Sequence, residues 1–273
     1  MSRVVDVRAA VAPLNAEPRL SSEQVSQTLA GHRLTVLEER PPWVRVRAHD
    51  GYEGWLHLGY TSVASTGVGA VGEEAATIVR DVASRTIALP TDDGRRISLG
   101  CIVCERDGRR RHLPVGALLA DEDHLDDGTA LTPREMRARF PRTPEAIART
   151  ALELFEGTPY EWGGITPWGA DCSGFVQTCF GLHGIALPRD ARQQADMGED
   201  AGSSLDSLAP SDLLFFSERD DGRITHVALA VGPLRLVHLA LGRGGYAVER
   251  LDAVADRYVV ELMRRLRCVR RIL

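Results

Sequence analysis

One cysteine and two histidines in the C-terminal half have the residue types and spacing of a thiol hydrolase. Cys172 lies near the end of an aromatic, glycine-rich stretch, residues 160–174, and opens an apolar run. His226 and His238 lie in consecutive strand-like runs that Gly232-Pro233 separates. The two positions are symmetric about residue 232, so a hairpin turning there would place the imidazoles opposite each other, with Cβ atoms roughly 5 Å apart. A cysteine beside two imidazoles has the parts of a cysteine peptidase.

The residues after Cys172 predict a helix that begins at the cysteine. Its apolar members recur at helical spacing and would share one buried face: Phe175, Val176, Cys179 and Phe180. The helix dipole and an imidazolium lower the pKa of a thiol from about 8.5, so we expect Cys172 to be a thiolate at neutral pH. His226 is then the expected base, and His238 is the group that holds its tautomer.

Each of these residues also has a structural interpretation. A single cysteine in an apolar helix is usually a small buried hydrophobic residue, and we interpret Cys179 in this way. Cys172 differs because Asp171 and Ser173 flank it. A histidine in a strand is usually a core or edge residue. Two histidines at mirror positions, downstream of a helix-opening cysteine, nevertheless favour catalysis.

Five short segments resemble the NlpC-type cell-wall peptidases. They are Pro159-Tyr160-Glu161-Trp162-Gly163-Gly164, Asp171-Cys172-Ser173-Gly174-Phe175-Val176-Gln177, Leu187-Pro188-Arg189-Asp190, Thr225-His226-Val227-Ala228 and Val237-His238. The resemblance covers the last half of the chain and is greatest to the YkfC-like subgroup, in which bacterial SH3-like barrels precede the peptidase. Enzymes of this subgroup are γ-D-glutamyl-L-diamino-acid endopeptidases of freed peptidoglycan stem peptides. The resemblance, and not the composition, therefore supplies the substrate.

The resemblance also implies a role for each matching residue. Cys172 would attack the γ-D-glutamyl carbonyl, while His226 would accept the thiol proton and later protonate the leaving amine. His238 would orient His226. Tyr160 would lie beside the nucleophile and, with the Cys172 backbone N–H, would stabilise the tetrahedral oxyanion.

The same resemblance implies a subsite for the D-glutamyl residue. Asp171, Ser173 and the Arg189-Asp190 pair would line it. The chain departs from the subgroup at Ala191, where a serine often follows the Arg-Asp pair. A hydroxyl contact at this position is therefore lost, and the expected chemistry is unchanged.

Two residues of the N-terminal region match positions with which the subgroup recognises a free amine. These are Glu23 and Tyr52, and Glu23 could equally be a surface carboxylate. In the first interpretation, the first barrel closes one end of the cleft and places a carboxylate against the amine of an N-terminal L-Ala. The enzyme would then release L-Ala-γ-D-Glu and exclude fragments still attached to muramic acid.

Composition and charge argue against several partner classes. The 273 residues carry a net charge of −5, and the basic residues do not form one long run, so we expect no nucleic-acid or membrane partner. The Cys101-Ile102-Val103-Cys104 segment lacks the second ligand pair of a structural zinc site, and its strand-like surroundings differ from those of a thioredoxin-like motif. We therefore expect no metal and no cofactor, and a small peptide substrate as the partner.

The N-terminal residues and the cysteines predict a location. Charges interrupt residues 1–8, and no window there reaches the apolar length of a signal sequence or a spanning helix. Five cysteines without a regular framework are typical of a reducing cytosol. The expectation is a cytoplasmic enzyme that recycles imported wall fragments.

The expected fold class is α+β, with a papain-like NlpC-type peptidase domain preceded by two small SH3-like β-barrels. The predicted domains are residues 1–66, 67–131 and 132–273, with a small-residue linker over residues 65–72. Short strands with turn signals indicate the first barrel, and a more divergent group of strands indicates the second. We expect turns over residues 121–132 and a connector over residues 133–141. Thr143 then caps a helix that Gly157 ends.

Two other functions are compatible with these residues. The first is a Cys/His amidase or acyltransferase of different specificity. The second is a non-catalytic peptidoglycan-binding protein, in which the barrels bind the wall and the C-terminal domain is degenerate. The intact Cys172, His226 and His238 argue against the second function.

Overall fold

The computed structural model describes residues 3–62, 94–105, 108–202 and 204–273. The predicted linker, residues 65–72, and the beginning of the predicted second barrel lie outside the described residues. Contacts divide the chain into two units, one ending at Arg137 and the other comprising Ala138–Leu273. The division into three domains remains a prediction.

Strands build the first unit. Ten are described: β1 (Val4–Val7), β2 (Val11–Asn15), β3 (Gln24–Leu29), β4 (Arg33–Arg40), β5 (Trp43–Arg47), β6 (Glu53–His57), β7 (Thr61–Ser62), β8 (Ile97–Cys104), β9 (Arg110–Leu113) and β10 (His124–Leu131). The first seven form an antiparallel sheet in the order β3-β2-β6-β5-β4-β1-β7. Its core contains Val5, Val7, Ala12, Leu14, Leu34, Val44, Val46 and Leu56. The predicted short strands around Trp43 and Trp55 are therefore confirmed.

The last three strands form a separate sheet in the order β10-β8-β9. The Cys-Ile-Val-Cys segment lies in β8, where Cys101 is buried and Val103 is fully enclosed. The expectation of ordinary strand packing for this segment is confirmed.

Two expectations for residues 121–141 were wrong. Residues His124–Leu131 are an edge strand rather than turns, because backbone pairing with β8 needs no apolar pattern and β-bulges absorb the irregular sequence. Residues Pro133–Arg139 form helix α1 rather than a connector. A reciprocal cap explains this helix, since Thr132 N donates to Glu135 Oε2 at 2.8 Å and Glu135 N donates to Thr132 Oγ1 at 3.3 Å.

The second unit packs helices against a twisted sheet. Its elements are α2 (Pro144–Glu153), β11 (Ile165–Thr166), β12 (Gly169–Ala170), α3 (Cys172–Leu182), α4 (Ala191–Gln194), β13 (Glu199–Asp200), β14 (Leu213–Phe216), β15 (His226–Gly232), β16 (Arg235–Ala240), β17 (Gly245–Arg250), α5 (Arg257–Arg264) and β18 (Leu266–Arg271). The main sheet is antiparallel, in the order β13-β18-β14-β15-β16-β17. The predicted helix after Thr143 is confirmed, and the Thr143 Oγ1 atom caps it by accepting a hydrogen bond of 3.3 Å from Ala146 N.

Alternation along the strands gives the sheet two buried faces. One face carries Phe215, Val227, Leu229, Val237 and Leu239 and packs against α2 and α3. Phe155 and Phe175 meet edge to face within this core, with ring centroids 5.0 Å apart. The opposite face carries Leu214, Phe216, Ala228, Ala230 and Leu236 and packs with Leu262 of α5. The α+β prediction is confirmed.

Candidate active site

Cys172 begins helix α3, as the sequence predicts. Asp171 is the N-cap, and its Oδ1 accepts a hydrogen bond of 2.7 Å from Gly174 N. The cysteine is 7% exposed. The cap therefore places the thiol in the first turn, where the backbone N–H groups of the helix point.

Arg189 holds the same carboxylate from the other side. Its Nη2 donates to Asp171 Oδ2 at 2.6 Å, and its Nη1 donates to Asp171 Oδ1 at 3.0 Å and to Ser173 Oγ at 2.9 Å. Gly163 N donates to Oδ2 at 2.9 Å. The structure thus brings three predicted subsite residues together, but it engages their polar atoms with one another. In this structure their hydrogen bonds stabilise the start of α3.

The ionisation expected for Cys172 is wrong for this geometry. Burial, reinforced by the Asp171 carboxylate, raises the pKa of the thiol to about 12. Hydrogen bonds with the backbone of Val227 and Ser173, and the charge of Arg189, lower the pKa without outweighing burial. The cost of desolvating the thiolate is larger here than the stabilisation that the helix N-terminus gives it. Cys172 is therefore a neutral thiol at neutral pH and must lose its proton during attack.

His226, the predicted base, is the first residue of β15. The Cys172 thiol forms a hydrogen bond with the backbone of Val227, the next residue in the chain. Burial, followed by the neighbouring His238, lowers the pKa of His226 to about 3. The imidazole is therefore neutral and has a lone pair with which to act as a base.

The two imidazoles contact each other, although the predicted register was wrong. Nε2 of His226 lies 3.0 Å from Nδ1 of His238. The strands pair Leu229 with Val237 and Ala230 with Leu236, and this register, if continued, sets His238 level with residue 228 rather than 226. A shift of two residues keeps both side chains on one face of the sheet, so the histidines are diagonal neighbours instead of opposite ones.

A carboxylate that the sequence interpretation missed lies behind His238. The Glu249 Oε1 atom is 3.6 Å from His238 Nε2, and both residues are buried. Arg243 holds this carboxylate with Nε to Oε1 at 2.7 Å and Nη2 to Oε2 at 3.1 Å. The register of β16 with β17 pairs His238 with Ala247, which makes Glu249 a diagonal neighbour on the same face. The proximity of Glu249 to His238 follows from this strand register, which the sequence analysis did not predict.

Tyr160 lies near the thiol. Burial raises the pKa of its phenol above the ordinary value, and the neighbouring Cys172 and Asp171 raise it further. The phenol therefore keeps its proton at neutral pH and can donate a hydrogen bond. Its backbone N donates to Gly244 O at 3.0 Å, which ties the loop before α3 to the start of β17.

The other predicted substrate residues lie elsewhere. Asp190 is the residue before α4 and is half-buried. Glu23 and Tyr52 belong to the first unit, where Glu23 precedes β3 and Tyr52 precedes β6. Glu23 O accepts from Ala16 N at 2.9 Å, and Tyr52 N donates to Asp50 Oδ1 at 3.0 Å.

The described residues show neither a metal-binding cluster nor a membrane-spanning helix. Over residues 3–62, 94–105, 108–202 and 204–273, no group of three or more His, Cys, Asp or Glu side chains is arranged to hold a metal ion. No described helix has the length and apolar character needed to cross a bilayer.

Family comparison places this geometry among known domains. The model of the NlpC/P60 family matches residues 157–263, and the model of a bacterial SH3 domain matches residues 5–62. The chain carries an NlpC/P60 domain. Cys172, His226 and His238 all lie inside the matched range, and the predicted resemblance is confirmed together with the SH3 domain.

Three curated relatives are named as dipeptidyl-peptidases. The chain is 41% identical over 127 residues to the gamma-D-glutamyl-L-lysine dipeptidyl-peptidase of Bacillus subtilis (strain 168), and this match covers 46% of the chain and 41% of the relative. A Bacillus cereus (strain ATCC 10987 / NRS 248) protein of the same name is 26% identical over 78% of the chain and 66% of its own length. The chain thus spans less than two thirds of these two relatives. Dipeptidyl-peptidase 6 of Lysinibacillus sphaericus is 29% identical over 90% of the chain and 91% of the relative.

A solved structure supports the fold along the whole chain. An NlpC/P60 family protein from Bacillus cereus ATCC 10987 superposes with a TM-score of 0.73 at 18% identity, and the match covers 99% of this chain and 100% of that one. At this identity the similarity shows the fold.

Proposed function

We propose that the chain is a cysteine endopeptidase that cleaves the γ-D-glutamyl–L-diamino acid bond of freed peptidoglycan stem peptides. The observation that carries the proposal is the Cys172 thiol at the start of α3, beside the first residues of β15, where His226 is 3.0 Å from His238. This group of residues lies inside an NlpC/P60 domain. The residues have the nucleophile, base and orienting group that acyl transfer requires.

The reaction follows from the neutral resting state. With His226 Nε2–H donated to His238 Nδ1, Nδ1 of His226 accepts the thiol proton as sulfur attacks the γ-carbonyl carbon. The carbonyl electron pair moves to oxygen, and the Cys172 N–H and the Tyr160 O–H stabilise the oxyanion. The C–N bond then breaks as His226 returns the proton to the leaving amine. Water, deprotonated by His226, hydrolyses the thioester and restores the thiol.

The substrate proposal rests on the relatives and on the N-terminal domain. Two relatives are named gamma-D-glutamyl-L-lysine dipeptidyl-peptidase. We assign recognition of an unblocked N-terminal L-Ala to Glu23 and Tyr52, because they match the positions that do this in the YkfC-like subgroup. The product would be L-Ala-γ-D-Glu, and peptides still attached to muramic acid would be excluded.

A role in recycling within the cytoplasm is part of the same proposal. All five cysteines lie in the described part of the chain and are unpaired. Free thiols of this kind persist in a reducing compartment. A substrate with a free N-terminal amine is a fragment that has already been released from the wall.

Product analysis tests the proposal directly. The purified chain is incubated with L-Ala-γ-D-Glu-L-Lys, its diaminopimelate analogue and their N-acetylated forms, and the products are identified by mass spectrometry. Free L-Ala-γ-D-Glu from the unblocked peptides supports the proposal. Intact tripeptides, or a different acyl product, would reject it in favour of an amidase or acyltransferase.

Two variants separate the chemistry from the specificity. Cys172→Ala should abolish hydrolysis while leaving the circular dichroism spectrum unchanged, and residual hydrolysis would remove the nucleophile assignment. Glu23→Ala should selectively raise KM for unblocked peptides. If the unmodified chain cleaves acetylated and free peptides equally, the amine-recognition assignment is wrong.

A further inference from the structure

Behind the histidine pair lies a buried charge that the proposed reaction does not yet use. Glu249 is 6% exposed and His238 is 0% exposed. Within the described chain, Nε2 of His238 is a buried atom without a hydrogen-bond partner, and the Glu249 carboxylate is 3.6 Å away. A buried polar atom that faces an anion requires an explanation.

We propose that Glu249 is a positioning residue that selects the Nε2–H tautomer of His238 and, through it, the proton-accepting tautomer of His226. The inference rests on the proposed peptidase function. Its argument depends on which ring nitrogen carries a proton at each of the two imidazoles.

Electrostatics decides the tautomer. A neutral His238 presents to the carboxylate either an N–H dipole, which the anion attracts, or a lone pair, which it repels, and burial strengthens this difference. With the proton on Nε2, Nδ1 of His238 is an acceptor and can take only the Nε2–H of His226, 3.0 Å away. Nδ1 of His226 then carries the lone pair. The opposite tautomer would leave Nε2 of His226 as the lone-pair nitrogen, bonded to His238 and unable to act as the base.

Arg243 keeps the carboxylate charged and in place. Burial raises the pKa of the Glu249 carboxyl, but the adjacent His238 and the hydrogen bonds and charge of Arg243 outweigh burial, and the pKa is lowered. Arg243 is itself fixed by Asp256 at 2.6 Å and lies over the Tyr258 ring, 4.2 Å from its centroid. The charge behind His238 is therefore held by two further elements, the turn before β17 and the start of α5.

The groups that face His238 define the pH dependence. They are His226 from β15, Glu249 from β17, Arg243 from the preceding turn and Tyr258 from α5, whose ring centroid is 6.1 Å from that of His238. Glu249 is the anion among them. Removing its charge should lower the pKa of His226 further, because an imidazolium there would lose a buried counter-charge.

The test uses Glu249→Gln, which keeps the side-chain shape and removes the charge, with Asp252→Asn as the matched control. Asp252 pairs with Arg250 on the surface. Its substitution removes one negative charge, as Glu249→Gln does, but outside the group formed by His226, His238, Glu249 and Arg243. We expect kcat for the tripeptide to fall roughly ten- to hundredfold in Glu249→Gln, the range found for carboxylates that orient metal-binding histidines, with little change in KM. The control should match the unmodified chain.

Two readouts do not depend on the substrate. The first is the rate of Cys172 alkylation by iodoacetamide as a function of pH, whose acidic limb should move down by about one unit in Glu249→Gln. The second is the ¹⁵N NMR spectrum of the unmodified chain, which should show His238 protonated at Nε2 and remains decisive if the variant does not fold. If the tripeptide is not cleaved, the proposed function fails while these readouts still test Glu249. An Nδ1–H tautomer of His238, or an alkylation profile that Glu249→Gln leaves unchanged, would overturn the inference.

Discussion

Replacing Arg189 with methionine should destabilise the second unit more than any surface change. Arg189 is 2% exposed and Asp171 is 6% exposed, and their ion pair has a contact of 2.6 Å. Met is apolar and of similar length, so the variant removes the charge and keeps most of the volume. The Asp171 carboxylate is then left buried with only its neutral hydrogen-bond donors.

The size of the effect follows from that unpaired charge. Breaking a buried ion pair by removing one partner costs about 3–5 kcal/mol, because the remaining charge stays desolvated. Loss of Arg189 also removes a positive charge that lowers the pKa of Cys172. Arg189→Met should therefore both lower the free energy of unfolding and slow alkylation of the thiol.

Urea unfolding of the full chain, followed by circular dichroism, measures the first effect. Asp171→Asn/Arg189→Met should recover part of the loss, since the double variant no longer buries a lone carboxylate. Arg219→Met is the control, because Arg219 pairs with Asp221 at the surface, and its midpoint should not change. A loss below about 1 kcal/mol for Arg189→Met, the value of a surface pair, would refute the reasoning.

Three other expectations can be checked together. His238→Ala should lower kcat more than it raises KM, because substrate binding does not need the orienting group; steady-state kinetics that show only a KM effect would contradict this. Gly174→Ala should destabilise α3, since the added Cβ would collide with the carbonyl oxygen of Gly164, and thermal unfolding should detect the loss. Burial, followed by the neighbouring His49, lowers the pKa of His32 to about 3. Because the unfolded chain binds this proton first, stability should fall as pH drops from 6.5 toward 3, by at most about 5 kcal/mol from this group. Urea titrations should show a shallower fall for His32→Gln, and an equal fall would exclude His32 as the cause.

Local patterns in the sequence were sufficient for the elements that carry the candidate site. The spacing of Phe175, Val176, Cys179 and Phe180 predicted a helix starting at Cys172, and that helix begins there. The apolar runs that contain His226 and His238 predicted two strands, which the structure confirms as β15 and β16. These predictions succeeded because helical and strand periodicities are properties of a few neighbouring residues.

The register of the histidine strands lay outside that local information. The reversal includes Leu234, which adopts a left-handed φ of 53°, and it is centred one residue later than Gly232-Pro233 suggested. Strand β10 and helix α1 show a similar limit. Backbone pairing at a sheet edge and a reciprocal cap, rather than apolar periodicity, formed them.

What the sequence determined by itself was the helix and the two strands that carry Cys172, His226 and His238, the residues that we propose as reactive. What the tertiary structure decided was their electrostatic state. The pKa of Cys172 depends on how completely the packed fold removes water from the thiol, and the pairing of two strands brings Glu249 within 3.6 Å of His238. Desolvation and charge proximity depend on distances through space, which the order of residues along a chain does not contain.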